Sequence, residues 1–166
     1  MASFLNYQNE TVAPFKFKIT KLCLKVIIVK SDEISRMSTT GMKIQEAMTT
    51  HLVTISPNKT VSDAVKIMVE KDVECLPVVK DGILQGLITF RDMIEKVVYV
   101  KRSSDKTKVR DIMTKKMITC SPEATIVEAV KLMKNKKLRR IPVVGEDGKL
   151  IGLVTDFDLA IFGWEI

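Results

Sequence analysis

A chain of 166 residues, 46% apolar and only 5% aromatic, has material for one ordinary domain or two small ones, with a core of Val, Ile, Leu and Met. Its net charge of +7 suits phosphate-bearing partners, although a solvated lysine-rich surface explains it as well. One histidine, His51, and three cysteines without CxxC spacing (Cys23, Cys75, Cys120) lack the parts of a zinc site or a Cys–His catalytic pair, and fit buried thiols in a reducing cytosol.

Residues 1–41 form an N-terminal extension. Within it Phe15–Lys30, FKFKITKLCLKVIIVK, opens with apolar/polar alternation and predicts a strand. Its longest apolar run, Val26–Val29, is far short of the ~20 residues that span a bilayer. Lys21 and Lys25 break the apolar region, and no small-residue cleavage site follows, so it is a poor signal peptide. Ser31–Gly41 reads as a polar linker, and Met42 opens a repeated part.

Ile44–Val79 aligns on Val109–Val144 at a constant offset of 65, with 14 of 36 positions identical. One extra residue enters at Gly145. Lys80–Lys96 then aligns on Glu146–Phe162 with 7 identities in 17. This is a duplicated unit, with boundaries at 42–101 and 109–166 and a polar linker, 102–108, between.

In the first unit Lys43–Met48 is a short lead-in and Leu52–Ile55 suits a strand, interrupted by Ser56-Pro57. Thr60 and Asp63 make a capping box before a helical stripe of Val61, Ala64, Val65, Met68 and Val69. Leu76–Val79 reads as a buried strand, Asp81-Gly82 as a hairpin turn, and Ile83–Thr89 as the partner strand. Thr89 opens a second helix, to about Lys101. The second unit repeats the order: strand Met117–Cys120, helix capped by Thr125 and Glu128, hairpin Ile141–Val144 with Lys149–Val154, and a closing helix from Thr155.

Each unit is thus β-α-β-β-α, an α/β fold. About 55 residues bury little surface alone. Two such units are expected to pack face to face about a pseudo-twofold axis, sharing one core and leaving two equivalent clefts between them.

The apolar-Pro-Val-Val strand (Leu76–Val79, Ile141–Val144), the Asp-Gly turn and the Gly-apolar-apolar-Thr-x-x-Asp ending (Gly86–Asp92, Gly152–Asp158), seen twice at matched spacing, resemble a tandem pair of CBS (cystathionine β-synthase) domains, also called a Bateman module. The resemblance covers Lys43 to about Phe162. It implies an adenosine-containing ligand between the repeats, AMP, ADP or ATP foremost and S-adenosylmethionine as a further candidate, with no cofactor required. It also implies regulation of a partner on a separate chain and homodimers of modules.

Carried over, Thr89 and Asp92 face Ile118, Thr119, Ile141 and Pro142 in one cleft, while Thr155 and Asp158 face Val53, Thr54, Leu76 and Pro77 in the other. A carboxylate can accept hydrogen bonds from ribose hydroxyls, and an apolar slot suits adenine. Thr-x-x-Asp is also an ordinary capping box, and the two roles are compatible. Arg139 and Arg140 precede the second proline where Glu74 and Cys75 precede the first. The Asp92 cleft is therefore expected to gain two guanidinium groups suited to phosphate. The Asp158 cleft is expected to gain Glu74 and Asp156, which repel it. The alternative is that the arginines belong to the basic run Lys134–Arg140 and face water.

Three functions are weighed. A non-catalytic cytoplasmic sensor is the leading one. A nucleic-acid or structural dimerisation protein would use the basic surface, with steep salt dependence but few aromatics for stacking. An enzyme would need a nucleophile–base pair, metal cluster or glycine-rich phosphate loop, and the sequence shows none.

Overall fold

A computed structural model describes residues 41–160. The strand expected over Phe15–Lys30, the linker before Gly41 and the end of the closing helix lie outside the described residues. The described chain runs α1 (Ile44–Ala47), α2 (Val61–Lys71), β1 (Cys75–Lys80), β2 (Ile83–Thr89) and α3 (Phe90–Met93), which continues as a π-helical turn over Ile94–Val98. Then come α4 (Val109–Ile112), α5 (Ile126–Lys136), β3 (Arg140–Val144), β4 (Leu150–Thr155) and α6 (Asp156–Ala160).

Local chemistry sets these elements. Thr60 and Thr125 cap α2 and α5, each accepting from the N–H three residues on. Such a cap contributes ~1 kcal/mol. Both helices end on a left-handed residue, Asp72 (φ 52°) and Lys137 (φ 54°). The β1–β2 turn, Asp81-Gly82, has both residues at positive φ (53° and 81°), the pattern of a two-residue hairpin that follows strand twist. The longer β3–β4 turn places Gly148 at φ 74°, and Gly145 N–H donates to Lys149 O at 2.9 Å.

The strands expected over Leu52–Ile55 and Met117–Cys120 shrink to single parallel bridges, Ile55 to Val78 and Cys120 to Val143. Pro57 and Pro122 turn the chain into α2 and α5 before more ladder can form. Val65 and Val69, counted in the α2 stripe, are 39% and 59% exposed, because only Val61, Ala64 and Met68 point at the hairpin.

The largest departure concerns the lead-ins. Thr49 pairs antiparallel with Leu153 of β4, and Thr114 pairs with Leu87 of β2. Each unit's lead-in therefore docks on the other unit. Val109, Ile112 and Met113 pack with the core of Val61, Met68, Leu76, Val78 and Ile88, while Ile44 and Met48 pack with Ile126, Met133, Ile141 and Val154. The expected single shared core is thus two cores, one completed by Val109, Ile112 and Met113 of the second unit and the other by Met42, Ile44, Ala47 and Met48 of the first. Two glycines make room. A Cβ on Gly86 would stand 2.6 Å from Met113 Sδ, and one on Gly152 would collide with Met48.

These pairings obey the pseudo-twofold. Ile83 and Lys149, aligned in the two units, bridge each other across the axis. The axis places the end of β2 and the start of α3 opposite the start of β3 and the chain after α4.

Candidate functional site

Thr89 ends β2 opposite Cys75 and caps α3 with extended geometry. Its N–H and hydroxyl donate to Asp92 Oδ2 at 2.9 and 2.7 Å, and Asp92 N–H donates back to Thr89 Oγ1 at 3.3 Å. The capping box is real, and it fixes the carboxylate where the two units meet. Asp92 is the one charged residue among the buried polar groups described, at 8% exposure. Lys96 Nζ pairs with its Oδ1 at 2.6 Å and also donates to Ile112 O at 2.7 Å. A buried carboxylate left unpaired would be costly, and Lys96 removes that cost.

Asp92 lines a cleft of about 760 Å3 between the units, within the range of small-molecule sites. Leu87, Phe90, Met117, Ile118, Leu138 and Pro142 form its apolar surface, and Arg91, Lys116, Lys137, Arg139 and Arg140 line it with cations. Asp92 and Glu74 are its carboxylates. Lys137 owes its place to the left-handed residue that ends α5, where Leu138 N–H closes back on Met133 O at 2.9 Å.

Of the residues expected here, Thr89, Asp92, Ile118, Arg139, Arg140 and Pro142 come together in this one cleft. Ile141 is fully buried in the second core, and Thr119 is exposed outside the lining. Glu74 was expected in the other cleft and instead lines this one, 3.4 Å from Arg140. Residues just before the proline strands lie beside the pseudo-axis, so side chains there reach across it. Arg139 folds back on Asp156, Nε to Oδ2 at 2.7 Å. Both arginines are therefore held by carboxylates. Lys116 and Lys137, not singled out from sequence, have no carboxylate partner among the described residues. The signal for Lys137 was the basic run itself, and for Lys116 its place two residues before Ile118.

In the second repeat, Thr155 N–H and hydroxyl donate to Asp158 Oδ2 at 2.8 and 2.7 Å, the same cap. Of the residues assigned opposite, Leu76 and Pro77 are buried, Val53 is half-buried and Thr54 is exposed. Among the described residues no three His, Cys, Asp or Glu side chains group closely enough to hold a metal ion. No described helix is long and apolar enough to cross a membrane.

The CBS domain model matches this chain twice, at residues 44–99 and 109–163. The CBS domain-containing protein YhcV of Bacillus subtilis is 32% identical over 118 residues, 71% of this chain and 83% of that protein. The mitochondrial CBS domain-containing protein CBSX3 of Arabidopsis thaliana is 45% identical over 105 residues, 60% of this chain but only half of that longer protein. Among solved structures, CBSX2 in complex with AMP is similar at a TM-score of 0.62 and 30% identity, over 72% of this chain and 94% of that one.

Proposed function

The chain belongs to the CBS domain family as a tandem pair, and from that premise we propose that it is a non-catalytic regulatory module whose Asp92 cleft binds an adenine nucleotide. One observation carries the reading: a fixed acceptor carboxylate, an apolar surface and a cationic wall line one cleft built from both repeats. Asp92 accepts from the sugar, Leu87, Met117, Ile118 and Pro142 enclose the base, and Lys116, Lys137, Arg139 and Arg140 meet the phosphates. The CBSX2 complex with AMP supports this ligand class.

Nucleotide in this position touches the end of β2 and α3 in one unit and β3 in the other. It therefore biases how the units pack, to the extent that it binds one packing better. A partner chain reads that packing, and a second copy of the module is the first partner to expect. The Asp158 cleft is left to an uncharged adenosyl group or to structure alone. The nucleic-acid reading loses ground, because Lys137, Arg139 and Arg140 line a concave cleft rather than a flat basic face.

Titration calorimetry of nucleotide-free protein with AMP, ADP, ATP and S-adenosylmethionine tests the proposal. Saturable binding of at least one nucleotide is expected. Heat from none of them overturns it.

A further inference from the structure

We propose that Lys96 sets the sugar specificity of the Asp92 cleft by restricting Asp92 to a single sugar hydroxyl. The inference rests on the reading of Asp92 as the sugar acceptor. An ionised carboxylate offers about four lone-pair sites, two on each oxygen. Asp92 Oδ2 takes the Thr89 N–H at 2.9 Å and the Thr89 hydroxyl at 2.7 Å, which fills both of its sites. Asp92 Oδ1 takes Lys96 Nζ at 2.6 Å, which leaves one site. A ribose presents two adjacent hydroxyl donors, and only one of them finds an acceptor.

Lys96 is well held in this place. Its ammonium also donates to Ile112 O at 2.7 Å, at the end of the exchanged α4. Asp92 lines the cleft and Lys96 does not, so the cation holds the carboxylate from outside the lining, and we assign the remaining Oδ1 site to the ligand. With Asp92 only 8% exposed, displacing Lys96 would strand a buried charge, so a sugar hydroxyl joins the cation rather than replacing it. The device belongs to one repeat, since the aligned position in the second is Phe162.

The test compares AMP, 2′-deoxy-AMP and 3′-deoxy-AMP on the full chain by calorimetry. In the wild type, one deoxy analogue is expected to bind about tenfold or more weakly, and the other within about twofold of AMP, the size of one hydrogen bond to a charged group. Lys96→Met frees the second acceptor site, so both analogues then lose affinity relative to AMP. Lys96→Arg restores the one-sided pattern. A general weakening of all three nucleotides by Lys96→Met, with the wild-type ratios kept, would mark Lys96 as structural only and overturn the inference. So would equal losses for both analogues in the wild type, a comparison that needs no variant to fold. Both results leave nucleotide binding intact, whereas failure of AMP and its relatives to bind at all removes the reading beneath.

Discussion

Glu74 of the first repeat and Arg140 of the second meet 3.4 Å apart across the pseudo-axis, and both line the same cleft. A nucleotide phosphate arriving there must take Glu74's place beside Arg140. Glu74→Gln removes that competition and should tighten nucleotide binding severalfold, about 1 kcal/mol for a pair whose carboxylate is exposed. Arg140→Glu should weaken it by tenfold or more. Calorimetric affinities for the two variants check this, and unchanged affinity in both would show that Arg140 faces away from the ligand.

Lys137 and Asp72 occupy equivalent left-handed ends of α5 and α2, at φ 54° and 52°. Glycine relieves such a conformation by ~1 kcal/mol. Lys137→Gly should therefore raise Tm while weakening nucleotide binding, because Lys137 lines the cleft. Asp72→Gly, outside the cleft lining, should raise Tm and leave affinity alone. Paired melting curves and titrations separate the two effects.

Gly86 and Met113 show how tightly the exchanged lead-in is seated. A Cβ on Gly86 would meet Met113 Sδ at 2.6 Å and the Thr114 carbonyl at 3.0 Å. Gly86→Ala should cost about 1–3 kcal/mol, as overpacking does. Combining it with Met113→Ala should recover part of that loss, since the flexible sulfur gives way but the Thr114 carbonyl remains. Denaturant unfolding of both single variants and the double variant measures the coupling.

Burial pushes the Cys120 thiol up to about 11 from an ordinary 9.0, and burial raises Cys75 as well. The folded state favours the neutral thiol. Its contribution is fully present below about pH 9 and is lost as pH rises towards 11. Stability should fall across that window, and Cys120→Ala should fall less. At pH 8, in a Cys23→Ser background, both thiols should react slowly with a disulfide reagent until denaturant is added.

What the sequence disclosed was local. Thr60, Thr89, Thr125 and Thr155 announced their caps because the partner stands three residues away. Asp81-Gly82 announced its hairpin because the turn demands positive φ. The repeat then supplied the twofold, and the resemblance to CBS pairs implied Thr89, Asp92, Ile118, Arg139, Arg140 and Pro142 in one cleft. The exchange of lead-ins was hidden, because Ile44 and Val109 carry the same apolar face whichever core they enter. Glu74 was misplaced for a related reason: beside the axis, side-chain reach decides the cleft, and alignment carries no reach. Lys96 stood four residues after Asp92, a spacing that pairs charges on a helix, and its value appeared only once Asp92 proved buried.

Titration of nucleotide-free protein with AMP and ATP, in parallel with Asp92→Ala and Asp158→Ala, probes the asymmetric cleft most directly. Binding should be saturable in the wild type, lost with Asp92→Ala and kept with Asp158→Ala. Binding that survives Asp92→Ala but disappears with Asp158→Ala would place the nucleotide in the other cleft and contradict the assignment.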